Sequence, residues 1–85
     1  MHPTYTVELL VRDRPGVLVR VAHVFARRGC NIRSINVLPT PGAGWSTMTI
    51  QAENVERIDQ MIAQLAKLID VQKAQTLPTV EKSNQ

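Results

Sequence analysis

An 85-residue chain that is 44% hydrophobic and 20% charged has room for one domain with a thin core, since a domain of this size buries only roughly 60–65% of its unfolded surface. Its one cysteine, Cys30, excludes an internal disulfide and a Cys-x-x-Cys pair, and His2 and His23 alone do not make a zinc site. The net charge of +3 is unevenly spread: six arginines and one acid, Asp13, lie between Arg12 and Arg33, so that stretch carries +5 against −2 for the remainder, a field suited to an anion, an acidic partner or nucleic acid.

The opening residues MHPTYT lack the basic segment and apolar run of a secretory signal, and no apolar run approaches the ~20 residues of a membrane span. A cytoplasmic location without membrane contact is expected. From Thr4 to Val11, Tyr5, Val7, Leu9 and Val11 alternate with Thr6, Glu8 and Leu10, the period of a strand with one buried face. A charged turn follows, Arg12-Asp13-Arg14-Pro15-Gly16. Val17, Leu18, Val21, Ala22, Val24 and Phe25 then recur at helical spacing, with Arg20, His23 and Arg27 on the opposite face. Arg27 and Arg28 lie in the last turn, and Gly29 is placed to end the helix.

A second strand is expected over Asn31 to Leu38, with a bulge where the apolar phase breaks between Ile32 and Ile35. Residues 39–44, PTPGAG, form a turn cluster, and Ser46 to Ala52 alternates again with Met48, Ile50 and Ala52 on one face. Ile58, Met61, Ile62, Leu65, Leu68 and Ile69 follow helical spacing, with Asn54 the candidate N-cap. Val71 to Leu77 supplies the last strand. Residues 1–77 are expected to form one domain and 78–85 a flexible tail.

The order strand-helix-strand-strand-helix-strand specifies an α+β, ferredoxin-like βαββαβ sandwich, a four-stranded antiparallel sheet with both helices on one face. Such a sheet has two open edges, and pairing two copies edge to edge relieves that exposure. A homodimer through sheet edges is therefore expected.

No catalytic constellation is present. Ser34 and Ser46 are not in a nucleophile elbow, neither histidine has an acid at useful spacing, and Asp59 and Asp70 lack a carboxylate partner for acid-base work. Nucleic-acid binding by a sheet of this type needs aromatics on its central strands, whereas the chain has only Tyr5, Phe25 and Trp45. The turn is the one feature with binding chemistry. Pro15 gives up a donor that a helix start leaves unpaired, Gly16 permits close approach, and the N–H groups of Gly16, Val17 and Leu18 face outward at the positive end of the helix dipole. Asp13 beside them suits an ammonium group, so the turn complements an amino-acid zwitterion. The alternative is that Asp13 is an ordinary N-cap and Pro-Gly an ordinary turn.

With the D-R-P-G turn after the first strand, the chain resembles the ACT domain, a small-molecule-sensing module of amino-acid metabolism. RRGCNIRSINVLPT (residues 27–40) and QLAKLIDVQKA (residues 64–74) are similar to the small regulatory subunits of acetolactate synthase, also called acetohydroxyacid synthase. The resemblance runs from about Tyr5 to Thr76 and implies regulation rather than catalysis. In that family the large subunit carries thiamine diphosphate, Mg2+ and FAD, and the small subunit, which holds no cofactor, stimulates it and mediates feedback inhibition by branched-chain amino acids such as valine.

Carried over by position, the effector site is Asp13, Gly16, Val17 and Leu18 of one chain with Asn31 and Ile32 of its neighbour. Arg20, Arg27, Arg28 and Trp45 are either contacts for the large subunit or plain surface. Two features depart from the family pattern: many members have asparagine where this chain has Asp13, and many continue into a second domain, so the chain reads as a short form or a truncated one. The competing reading is a free-standing amino-acid-sensing ACT module that regulates another enzyme or a transcription factor.

Overall fold

Alternation in the first segment produces β1 (Thr4–Arg12), which buries Val7, Leu9 and Val11 and turns Glu8 and Leu10 to the other face. In the computed structural model, which describes residues 4–78, β1 is followed by α1 (Val17–Arg27), β2 (Asn31–Thr40), β3 (Trp45–Glu53), α2 (Ile58–Ala66) and β4 (Val71–Leu77). The four strands form one sheet in the order β2-β3-β1-β4, with every neighbouring pair antiparallel. β1 and β3 are thus central, and β2 and β4 are the open edges.

Both helices cover one face. Val17, Val21, Val24 and Phe25 of α1 and Met61 and Leu65 of α2 join Val7, Leu9, Val11, Met48, Ile50 and Ala52 of the central strands in a single core. Burying each large aliphatic or aromatic side chain contributes about 1.5–3 kcal/mol relative to exposing it. The opposite face of the sheet is uncovered, and there Gln75 Nε2 donates to Glu8 Oε1 at 2.7 Å. No helix among the described residues is long and apolar enough to cross a membrane.

The break in apolar phase in the second strand is a register shift: Ile32 pairs with Ala52 and Ser34 with Gln51, which leaves Arg33 as the extra residue. α1 ends as its glycine requires. Gly29 lies in the left-handed region (φ 74), its N–H donates to the Ala26 carbonyl, and the Cys30 N–H donates to the Phe25 carbonyl, the paired bonds of a Schellman motif.

The second helix departs from the expected pattern at both ends. Asn54 is not its N-cap. α2 starts after Arg57, a left-handed residue (φ 55) with no side-chain cap, while Asn54 is itself left-handed (φ 63) and its Nδ2 donates to the Gly29 carbonyl at 3.4 Å. At the other end the apolar spacing continues to Ile69, but the helix stops at Ala66. Lys67 and Leu68 donate to carbonyls three residues back, which tightens the chain into a turn and leaves Ile69 91% exposed. The unwinding delivers Asp70 to the first residue position before β4, where it meets the end of β1. Apart from Pro78, the expected tail over 78–85 lies outside the described residues.

Candidate functional site

The Arg12–Gly16 turn is fixed from two sides. Arg12 N–H donates to the Asp70 carbonyl at 2.8 Å, and Asp13 N–H donates to the Gly44 carbonyl at 2.9 Å. The Asp70 side chain, 4% exposed, accepts from Arg20 Nη2 at 2.5 Å and lies 3.5 Å from Arg14 Nη1. One buried carboxylate therefore holds the turn to the first turn of α1 and to the start of β4. Arg12 is placed differently, with its guanidinium carbon 4.8 Å from the centroid of the Trp45 ring, opposite which it pairs in the sheet.

Gly16, not Asp13, is the residue at which α1 begins. It is left-handed (φ 86) and caps nothing with a side chain. A Cβ at this position would lie 3.1 Å from Arg20 Nη1, so the absence of a side chain also makes room for the arginine that reaches Asp70. The Val17 N–H does not face outward as expected: it donates to the Arg14 carbonyl within the turn, at 3.4 Å. The N–H groups of Gly16 and Leu18 have no protein acceptor among the described residues. They remain the open donors at the positive end of the helix. Asp13 is exposed, makes no ion pair among the described residues, and stands beside them.

Beneath the turn lies a cleft of about 160 Å3, between the start of α1 and the adjacent ends of β1, β2 and β3. Val11, Val17 and Met48 form its floor, Leu18 and Val37 its half-exposed walls, and Asp13 and Arg14 its mouth. This is close to the volume, on the order of 150 Å3, that accepts a benzene-sized apolar guest in a protein core. Ser46 also lines the cleft. It is 2% exposed, and its Oγ has no hydrogen-bond partner among the described residues. Its alternation with Met48, Ile50 and Ala52 predicts an inward-facing position, but nothing in the sequence indicates that its hydroxyl is unpaired.

Asp13, Gly16, Val17 and Leu18 are thus together. Asn31 and Ile32 are not with them, because they open β2 opposite Glu53 and Ala52. The turn joins β1 at Arg12, opposite Trp45 at the other end of β3. The two ends of β3 are eight residue steps apart, about 25 Å at the rise of a β-strand.

Of the four residues named as surface contacts, two are engaged internally. Arg20 bonds Asp70, and Arg28 Nη1 donates to Gln64 Oε1 of α2 at 2.9 Å. Trp45 is half-buried under Arg12, and Arg27 alone is exposed without an ion pair among the described residues. The described residues hold no group of three or more His, Cys, Asp or Glu side chains suited to a metal ion.

A βαββαβ chain with strand order β2-β3-β1-β4 and a glycine-started helix over a cleft has the architecture of an ACT domain. The ACT domain from the GTP pyrophosphokinase of Chlorobium tepidum matches it with a TM-score of 0.72 over 91% of this chain and 100% of that one, at 16% identity, which establishes the fold alone. Residues 7–73 match the model of the AHAS small subunit-like ACT domain, AHAS being acetohydroxyacid synthase, and the chain belongs to that family.

It is 49% identical over 72 residues to the acetolactate synthase small subunit of Mycobacterium leprae, covering 84% of this chain and 43% of that protein. It is 39% identical over 74 residues to the acetolactate synthase isozyme 1 small subunit of Escherichia coli K12, covering 87% of this chain and 77% of that protein. The chain thus spans less than half of the mycobacterial relative and about three quarters of the enterobacterial one.

Proposed function

We propose that this chain is the effector-binding part of a regulatory subunit of acetolactate synthase. It takes a branched-chain amino acid at the junction of two copies and modulates a separate catalytic subunit. The observation that carries this reading is the apolar cleft beneath the Asp13–Gly16 turn. Open N–H donors at Gly16 and Leu18 suit the carboxylate of an amino acid, the unpaired Asp13 suits its ammonium group, and Val11, Val17, Leu18, Val37 and Met48 suit a branched aliphatic side chain. No catalytic step falls to the chain in this reading; the chemistry and its cofactors belong to the large subunit.

The open edge of β2 supplies the second half. Antiparallel pairing of β2 with β2 of a second copy, across a two-fold axis, sets the start of one strand beside the end of the other. Asn31 and Ile32 of the second copy then arrive next to Val37 and the cleft, where their own chain cannot bring them. Leu38 on the same strand is 72% exposed, and pairing of the edges protects it along with the unpaired backbone groups.

Calorimetry with valine, leucine and isoleucine tests the site. At least one is expected to bind the wild type, and Gly16→Trp, which fills the approach to the helix start, is expected to abolish binding; undiminished binding in that variant removes the turn from the site. Reconstitution with the cognate large subunit, with and without valine, tests the role: added chain is expected to raise activity, and no change at saturating chain sinks the subunit assignment.

A further inference from the structure

The aliphatic cleft contains one group that a purely aliphatic guest leaves unused. Ser46 pairs with Val11 on one side and Pro39 on the other, so the sheet sets it between the strand that carries the turn and the edge strand. Its side chain is on the inner face with Met48, 2% exposed, and its Oγ is buried without a partner. The other polar groups around the cleft are accounted for or lie at its mouth: Arg12 stacks on Trp45, Arg14 faces Asp70, and Asp13 is exposed. Ser46 Oγ is therefore the buried, unpaired polar atom beside the aliphatic lining of the cleft, which includes Val11, Val17, Val37 and Met48. A buried hydroxyl left without a hydrogen bond is destabilising, and native proteins rarely keep one unless water or a guest completes it.

We propose that Ser46 is a specificity-determining residue of this cleft, and that its hydroxyl makes the site accept a β-hydroxy amino acid as well as a β-branched aliphatic one. Threonine and valine have the same branched shape and differ by a hydroxyl in place of one methyl. A wholly apolar pocket disfavours the hydroxylated member by roughly 100-fold, whereas a pocket that offers the hydroxyl a partner does not. The inference rests on the cleft being an amino-acid site, as proposed above.

The test is calorimetric titration of the full chain with valine and with threonine, for the wild type, Ser46→Ala and Ser46→Cys. The wild type is expected to hold threonine within about ten-fold of valine. Ser46→Ala, which removes the hydroxyl and the unpaired group together, is expected to weaken threonine and to leave valine equal or tighter, raising the valine-to-threonine affinity ratio at least about five-fold. Ser46→Cys, similar in size but a weak donor, is expected to fall between the two and provides the comparison if the alanine variant fails to fold. A wild type that binds valine but threonine at least about 100-fold more weakly overturns the role of Ser46 and leaves the effector site standing. A ratio unmoved by either substitution does the same. If the wild type binds no aliphatic amino acid at all, the effector site falls and this inference falls with it.

Discussion

α1 and α2 occupy equivalent places in two strand-helix-strand units, and each starts after a left-handed residue that makes no side-chain cap. The first start is Gly16, where a left-handed conformation is at home. The second is Arg57, which meets the steric cost of the same conformation. At α1 the donors of Gly16 and Leu18 stay open over an apolar cleft. At α2 the Arg57 carbonyl takes the N–H groups of Gln60 and Met61, as the Gly16 carbonyl takes that of Arg20, and the N–H groups of Ile58 and Asp59 have no protein acceptor among the described residues. What differs is that Asp59 in the first turn already complements the dipole. The groove beside α2, lined by Ile58, Ile62, Ala74 and Thr76, contains no buried polar atom without a partner among the described residues. The same topology thus carries one start whose dipole no first-turn acid meets, over a cleft with a buried unpaired hydroxyl, and one that its own Asp59 already complements, and the difference lies in a few side chains rather than in the fold.

The largest effect is expected where the two units are tied together. Arg20→Ala leaves the nearly buried Asp70 carboxylate with only Arg14, 3.5 Å away. Removing one partner of a fully buried pair costs about 3–5 kcal/mol; because Arg20 is 49% exposed and its charge partly screened, about 2 kcal/mol is expected here. Urea denaturation measures it. Adding Asp70→Asn to Arg20→Ala is expected to recover part of the loss, since the stranded charge goes with it. A loss below about 0.5 kcal/mol for Arg20→Ala shows that the tie between the units is a surface contact.

Next come the two left-handed starts, which are expected to respond in opposite directions. Gly16→Ala forces a Cβ into the left-handed region and to within 3.1 Å of Arg20 Nη1, with an expected cost of about 1–2 kcal/mol. Arg57→Gly relieves the same strain, partly offset by the greater chain entropy of glycine when unfolded, for a gain of about 0.5 kcal/mol. Thermal melts of the two variants in one buffer give the comparison directly. Changes of the same sign remove the contrast drawn between the helix starts.

What the chain's pattern revealed and what it concealed divide along physical lines. Local periodicity exposed the element order, the inward set Val7, Leu9 and Val11, and even a bulge between Ile32 and Ile35, which the register narrows to Ile32 and Ser34, because each depends on residues a few positions apart. The end of α2 was concealed, since the apolar spacing runs on through Leu68 and Ile69. The helix stops early because Asp70 is needed at Arg12 and Arg20, a pairing 50 residues apart in sequence for the side chains. Asn54 has the residue type of an N-cap, yet its position after β3 puts its amide on the Gly29 carbonyl of the other unit. At the turn, the glycine and the open donors follow from residue type alone. The inward turn of the Val17 N–H and the unpartnered Ser46 hydroxyl depend on how three strands meet, which no short stretch encodes.

The smallest effect separates the other ends of the helices. α1 finishes in the Gly29-Cys30 Schellman turn, and Cys30 packs partly buried against the core, whereas α2 unwinds without a glycine. Burial pushes the Cys30 thiol above its ordinary value of 9.0, with Arg28 pulling down and Glu56 adding to the rise. The sign of the stability change follows from which state ionises first. Below the ordinary value both folded and unfolded chains keep the thiol protonated, and the group contributes no pH dependence. As pH rises past 9.0 the unfolded thiol gives up its proton while the folded one retains it, so stability falls with rising pH across that window. The comparison between wild type and Cys30→Ala isolates the share of the thiol. Denaturation midpoints near neutral pH and at about pH 10 are expected to drop further for the wild type than for the variant. Equal drops would place Cys30 in an environment no different from solvent, and the end of α1 would then be as open as the end of α2.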